Sequence, residues 1–175
     1  EGFENRATIV TYYNFEWMPG LVAREGYSKD IDYFVYKIEV PKELPEFYKK
    51  IIERAEKKAT FAVTEFRKRR EFKPWIKPVL HLMNECYSGG EIYGFAPLSE
   101  KEMDTLAKRY LPILDPRFCK LVAKDGQAVA FIVAIPDITE GIRRARGRLF
   151  PFGLLKIYRA ARKTKQLDLL LGAVK

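Results

Sequence analysis

The sequence has few of the residues and motifs that mark common classes of enzyme. Its 175 residues include one histidine, His81, and two cysteines, Cys86 and Cys119. A Ser-His-Asp or Cys-His relay therefore has a single candidate base, and a lone helical histidine favours a structural or surface role. The cysteines fall in a predicted helix and a predicted strand, which indicates buried thiols and no disulfide framework or zinc site. Walker A, GxGxxG, HExxH and CxxC motifs are absent, so we predict no metal and no glycine-rich nucleotide loop.

Long apolar runs are also missing. None reaches the roughly 18 residues that a membrane-spanning helix needs, and the N-terminus lacks the charged-then-apolar pattern of a signal peptide. These absences predict a cytoplasmic protein with no membrane partner. The first residue is Glu1 and not methionine, which suggests a piece of a longer polypeptide.

Positive charge is concentrated in one segment. The formal net charge is +9 with an isoelectric point near 9.5, and residues 143–165 carry nine lysines and arginines with no Asp or Glu. Such a run is either a solvated helix face or a surface that meets phosphates or an acidic partner. A nucleic-acid-binding module is the less favoured interpretation, because no RRM, OB or helix-turn-helix pattern accompanies the charge.

Hydrophobic periodicity predicts a domain of mixed α and β class, and 47% hydrophobic content supports a sizeable core. The predicted strands are residues 7–11, 30–40, 61–66, 118–123, 127–135 and 167–174, and the predicted helices are residues 17–25, 44–58, 74–87, 99–110, 139–146 and 152–163. Asp125-Gly126 predicts a tight hairpin, and Ser99 with Glu102 predicts a capping box. Thr139 is expected to cap the helix at 139–146, and Gly147 to end it. The helix at 44–58 is amphipathic and is expected to pack on a sheet. The apolar run 167–174 is typical of an interior strand covered on both faces.

The segment RARGRLFPFG, residues 144–153, joins two predicted helices. We expect Leu149, Phe150 and Phe152 to anchor it in the core, with Pro151 fixing the backbone before the second helix. The segment then forms either the floor of a pocket, with Arg148 salt-bridged or directed at an anion, or a buried corner between helices.

The candidate bases Glu85 and Glu91 flank the exit of the predicted helix 74–87, near Asn84, Tyr87 and Tyr93. Either carboxylate can act as a general base through a water molecule, although surface carboxylates are common.

The order of these elements resembles the N-terminal half of a GNAT-superfamily acyltransferase domain. The phrases FAPLSEKEMDTLAKRYLPILDPRF, DGQAVAFIVAIPDI, GRLFPFGLLKI and LDLLLGAV occur in sequence and look like a bacterial GNAT-like subfamily with two tandem halves. The resemblance implies an α+β fold with a mixed, mostly antiparallel central sheet flanked by helices, incomplete at the C-terminus. Residues 1–43 would close a preceding half, and residues 44–175 would begin the second.

The resemblance also implies transfer of an acyl group, acetyl or another, from acyl coenzyme A to an unknown amine, with no metal. Leu171, Gly172, Ala173 and Val174 would bind the pantetheine arm by strand-like pairing. The pyrophosphate loop that follows this strand in the family is missing, and the proton-accepting residue is unknown. This puts catalysis by the truncated chain in doubt.

Substrate would be selected by loops that contain a set of pocket candidates. These are Asn84, Tyr87, Tyr93, Pro136, Asp137, Arg148 and Pro151. The alternative is a GNAT-like scaffold or dimerisation domain without catalysis. In either case the apolar strand edge would pack on a missing segment, a partner chain or a second copy.

Overall fold

The computed structural model describes residues 3–9, 12–57, 61–90 and 92–175, without the side chains of residues 56, 57 and 113. Those residues form an α+β fold with six α-helices and one four-stranded antiparallel sheet in the order β1-β2-β3-β4. The predicted α+β class is therefore confirmed. Among the described helices, none has both the length and the apolar character to cross a bilayer.

The helices are α1 (Met18–Arg24), α2 (Glu46–Lys57), α3 (Ile76–Tyr87), α4 (Glu100–Tyr110), α5 (Thr139–Ala145) and α6 (Gly153–Lys163). The strands are β1 (Phe61–Glu65), β2 (Cys119–Lys124), β3 (Gln127–Pro136) and β4 (Leu167–Val174), and 3-10 turns cover Arg69–Trp75, Leu111–Ile113 and Pro116–Phe118. The chain divides into two compact units. The first comprises Glu1–Lys42 and Pro136–Asp168, and the second comprises Glu43–Ile135 and Leu169–Lys175.

The hairpin between β2 and β3 is confirmed. Asp125 and Gly126 have φ values of 50° and 77°, the left-handed conformation that a two-residue hairpin turn of this kind requires. Lys124 lies opposite Gln127, and Cys119 lies opposite Val133 at the other end of the ladder. On its other side β2 pairs antiparallel with β1.

Strand β4 differs from its prediction as an interior strand. The amide of Lys175 donates to the carbonyl of Val129 at 2.9 Å, and the amide of Asp137 donates to the carbonyl of Gln166 at 3.1 Å. These bonds make β4 antiparallel to β3, and β4 is the last strand of the sheet. Its apolar composition therefore reflects partial burial at an edge rather than coverage of both faces.

The core of the second unit lies between the sheet and helices α3 and α4. Met103 on α4 and Leu121 on β2 are each 1% exposed. Helix α4 begins where the sequence predicts, because the Ser99 hydroxyl accepts the Glu102 amide at 3.4 Å and the Glu102 carboxylate accepts the Ser99 amide at 2.8 Å. This capping box is confirmed.

Several predictions in the first 60 residues are wrong. The backbone of residues 30–40 forms no strand, since an alternating sequence needs a neighbouring strand to pair with. Residues 7–9 likewise form no strand, and the last two residues of that predicted strand, 10 and 11, lie outside the described residues. Residue 58, the last of the predicted helix 44–58, also lies outside them. Helix α2 forms, but its apolar stripe of Phe47, Tyr48, Ile51 and Ile52 is exposed and is not packed on a sheet.

In the first unit, α5 and α6 form a closely packed helical pair. A Cβ atom on Gly141 would lie 2.6 Å from the Ile157 Cα and 2.9 Å from the Ala160 Cβ. Thr139 was predicted to cap α5, but the Asp137 carboxylate accepts the Thr139 amide at 2.8 Å. Gly147 follows the helix with a φ of 74°, so the predicted stop at this glycine is confirmed.

The contact at Gly141 predicts that Gly141→Ala destabilises the protein. The added methyl group must separate the two helices, which costs about 1–3 kcal/mol. The matched control is Gly89→Ala, since a Cβ at Gly89 meets no atom within 4 Å. Urea unfolding should give a lower midpoint for the first variant and a near-neutral change for the second. Equal midpoints would contradict the close packing of α5 and α6.

Candidate functional site

The second unit contains an apolar cavity of about 290 Å³. Its walls come from both helices of the core, the 3-10 turn before α3, and strands β2, β3 and β4. The lining residues are Phe66, Phe72, Trp75, Ile76, Val79, Leu80, Leu106, Ala107, Tyr110, Leu111, Leu114, Cys119, Lys120, Leu121, Phe131, Ile132, Val133, Leu170 and Leu171. Protein interiors are close-packed, so a void of this size with aliphatic and aromatic walls is suited to an apolar occupant.

The charged group in the cavity wall is neutralised locally. The ammonium of Lys120 lies 2.6 Å from the Glu65 carboxylate. This hydrogen bond and charge lower the pKa of Glu65 below its usual value. Lys120 therefore contributes its aliphatic stem to the wall, while its charge is held at the β1–β2 pair.

Cys119 is a poor nucleophile despite its place in the cavity. Burial, and secondly the nearby Asp115 carboxylate, raise the pKa of its thiol to about 11. The sulfur also donates to the Asp115 carbonyl at 3.5 Å. At neutral pH the thiol stays protonated, and a thiolate is the form that attacks carbonyl groups. The cavity is therefore equipped for binding and not for forming an acyl-cysteine.

The end of α3 engages the open edge of β4. The Tyr87 hydroxyl donates to the carbonyl of Gly172 at 2.8 Å and lies 3.4 Å from the Gly172 amide. Cys86 donates from its sulfur to the Val174 carbonyl at 3.6 Å. Backbone groups that were expected to pair with a coenzyme thus already have partners. A strand-like ligand would have to displace the Tyr87 hydroxyl to bind here.

The four residues predicted on this strand have different surroundings. Leu171 lines the cavity, Ala173 is buried in the core, and Val174 is exposed. Only Gly172 presents backbone groups to Tyr87. These positions remain a prediction for coenzyme binding.

The predicted pocket residues of the second unit hold its loops. Asn84 donates to the Leu98 carbonyl at 2.7 Å and accepts the Leu98 amide at 2.9 Å, which closes the loop between α3 and α4. The Tyr87 ring packs edge-on against Phe95 with centroids 5.2 Å apart. Tyr93 lies half exposed in the same loop. None of the three predicted residues is among the described residues that line the cavity.

The other predicted pocket residues belong to the first unit. Pro136 ends β3, and Asp137 caps α5. Arg148 and Pro151 lie exposed in the link before α6. In this unit the structure therefore assigns a capping role to Asp137 and leaves the two link residues at the surface.

The candidate bases of the sequence have other partners or lie outside the description. His81 lies 2.9 Å from Glu100 with more than half of its side chain exposed, in agreement with a surface role. Glu85 pairs with Lys175 at 2.6 Å, and residue 91 is outside the described residues. Within the described ranges, no group of three or more His, Cys, Asp or Glu side chains is placed to hold a metal ion.

Asp168 is a buried acid of the first unit that is absent from the residues predicted from the sequence. It is 6% exposed, and its Oδ1 accepts from the Gln166 amide at 3.3 Å. Its Oδ2 is buried without a hydrogen-bond partner among the described residues. A buried carboxylate oxygen with no partner is costly and is suited to receive a cationic or protic ligand. The signal in the sequence is a single acid inside the apolar run LDLLLGAV.

Comparison with curated proteins yields two relatives. The chain is 25% identical over 156 residues to a bacterial ceramide synthase of Caulobacter vibrioides, which covers 89% of this chain and 40% of that protein. It is 25% identical over 158 residues to protein YghO of Escherichia coli, which covers 90% of this chain and 39% of that protein. The chain thus spans about two fifths of the length of these relatives. No family model matches the sequence.

These relatives overturn the resemblance to the GNAT superfamily. Neither carries the name of a GNAT acetyltransferase, and no GNAT family model matches. The prediction of a GNAT-type N-acetyltransferase is therefore wrong. The order of strands and helices does not define the family, because one arrangement of elements can host many unrelated functions.

The surroundings of Cys119 predict slow alkylation of its thiol. In Cys86→Ser, which retains Cys119, iodoacetamide labelling at pH 8 should be at least about tenfold slower than in Cys119→Ser, which retains the half-buried Cys86. The rate for Cys119 should continue to rise with pH toward about 11, where its thiol ionises. Mass spectrometry measures both rates. Similar rates at pH 8 would contradict a buried, protonated Cys119.

Proposed function

We propose that this chain is part of an enzyme that joins a fatty acyl group, delivered as an acyl coenzyme A, to a long-chain amine. The apolar cavity of the second unit carries the proposal, as the place where part of an alkyl chain binds. Its volume of about 290 Å³ falls just below the range of about 300 to 1,000 Å³ that small-molecule sites span. That space suits a segment of a chain, and the remainder of the lipid would lie outside it.

The name of the Caulobacter relative supports the same chemistry. Ceramides are amides of long-chain amino alcohols with fatty acids, so a ceramide synthase forms an amide bond. The acyl group proposed here is accordingly a long chain, in place of the acetyl group expected from the sequence. The lining of aliphatic and aromatic side chains supports this change, since an acetyl group has little apolar surface to bury.

The proposed reaction transfers a proton as well as the acyl group. The amine nitrogen attacks the thioester carbonyl, the carbon–sulfur bond breaks, and the coenzyme leaves as a thiolate that takes up the proton lost by the nitrogen. Direct attack is favoured because Cys119 is held as a protonated thiol.

The proposal includes a cytoplasmic location. Both cysteines are free, which agrees with a reducing compartment.

Chain-length selectivity tests the cavity. We expect the affinity for acyl coenzyme A, measured by calorimetry, to rise from acetyl to octanoyl to palmitoyl. Ala107→Phe fills the cavity from α4 and should weaken palmitoyl binding about tenfold or more, since the buried alkyl contact is lost. The control Ala55→Phe places the same ring on an exposed position of α2 and should bind as the parent does. Equal affinity for all three thioesters, or for both variants, would overturn the assignment of the cavity.

A further inference from the structure

The link between α5 and α6 projects its apolar side chains outward. Phe150 is 80% exposed and Phe152 is 65% exposed, and Leu149 is half exposed. The prediction that these three residues lie in the core is wrong. The amide of Leu154 donates to the Leu149 carbonyl at 3.0 Å, so the link folds back on itself and turns the aromatic rings toward solvent.

Helix α6 continues this apolar surface. Its packed side is fixed by Gly141 of α5, which approaches Ile157 and Ala160. With 100° between successive residues, Leu155 and Tyr158 lie on the opposite side of the helix. Both are exposed, and so is Leu154 beside them. The solvent side of α6 therefore carries large apolar groups that nothing in the described structure covers.

Cations accompany these apolar groups. Glu140 binds Arg143 at 2.9 Å and Arg144 at 2.8 Å, and these partners lower the pKa of Glu140 to about 2. The other arginines and the lysines of this segment lack such acidic partners among the described residues. In the described parts of the chain no ion pair involves Arg146, Arg148, Lys156, Arg159, Arg162, Lys163 or Lys165. Positive charge on this segment is thus largely uncompensated.

We propose that this surface docks on the face of an anionic lipid bilayer. It is named the 146–165 surface and is defined by the apolar Leu149, Phe150, Phe152, Leu154, Leu155 and Tyr158 and by the cations Arg146, Arg148, Arg159, Arg162, Lys163 and Lys165. Aromatic and leucine side chains insert at the boundary between headgroups and acyl chains, while arginine and lysine bind the anionic headgroups. The helix lies in the interface and does not span the membrane.

The apolar content of the 146–165 surface favours a membrane over a nucleic acid. Phosphate binding alone needs cations, and it gives no role to two phenylalanines and three leucines that face solvent. An interfacial helix needs both kinds of side chain on one surface. The expectation of no membrane partner rested on the lack of a spanning segment, and a docked surface does not require one.

This inference is independent of the cavity and of amide formation. It also gives a means of access to lipids, because a docked protein meets its apolar ligands at the bilayer. Palmitoyl coenzyme A binding can fail while vesicle binding holds, and the reverse is equally possible, so the two proposals fail separately.

Vesicle co-sedimentation tests the docking surface. The chain should bind vesicles of phosphatidylcholine with about 30 mol% phosphatidylserine and bind pure phosphatidylcholine at least about tenfold more weakly. Raising the salt from about 0.1 to about 0.5 M should weaken binding, because the Debye length shortens. No binding to either vesicle, or equal binding to both, would overturn the proposal.

Two variants separate the apolar and the charged contributions. Phe150→Ala with Phe152→Ala should weaken binding about tenfold or more, whereas Phe47→Ala with Tyr48→Ala on α2 should leave it unchanged. The triple variant Arg159→Gln, Arg162→Gln and Lys163→Gln should weaken binding about a hundredfold. Removing the same charge with Arg67→Gln, Lys68→Gln and Arg70→Gln should have little effect. Circular dichroism checks that each variant folds, which is expected because the substituted side chains are exposed.

A nucleic-acid face or a protein interface would give different results. If a single-stranded oligonucleotide displaces the vesicles and the phenylalanine variant binds them as the parent does, the surface binds polyanions and the membrane proposal is wrong. If the phenylalanine variant instead converts a dimer into a monomer in sedimentation velocity, without any vesicle binding by the parent, the surface is an interface between copies.

Discussion

Pairing of β2 with a strand on each side organises the second unit. Because β2 has β1 on one edge and β3 on the other, its backbone groups are satisfied within the sheet and alternate side chains can be buried. Cys119, Leu121 and Ala123 occupy one face and are all buried. Helices α3 and α4 pack on this face, and Met103 meets the same core. The cavity exists because these helices and strands enclose more space than their side chains fill.

Polar groups around that cavity are bonded to one another, which leaves its interior apolar. Lys120 pairs with Glu65, and the Cys119 thiol bonds to a carbonyl and stays protonated. At the edge of β4, Tyr87 takes the free backbone groups of Gly172. In the first unit, the second oxygen of Asp168 and the hydroxyl of Thr139 are buried without partners among the described residues. The bonded polar groups of the second unit thus leave its cavity suited to the apolar ligand proposed for it.

Local signals in the sequence predicted much of the secondary structure. The Asp125-Gly126 turn, the Ser99 capping box and the stop at Gly147 depend on the conformation of two to four neighbouring residues, and all three are confirmed. The alternating residues 30–40 do not form a strand, because a strand needs a neighbouring strand to pair with and the alternation does not specify one. Family resemblance failed for a related reason, because the order of elements does not define the chemistry of a site.

The sequence by itself determined the α+β class, the positions of most helices and strands, and the concentration of positive charge in residues 143–165. These follow from backbone preferences, side-chain periodicity and composition, which act over short distances along the chain. Only the tertiary structure decided that Phe150 and Phe152 face solvent, that β4 is an edge strand, and that Asp168 is buried with an oxygen that no described residue bonds. Exposure and pairing are set by which distant residues come into contact. The identity of an apolar or acidic residue does not show whether other parts of the fold bury its side chain.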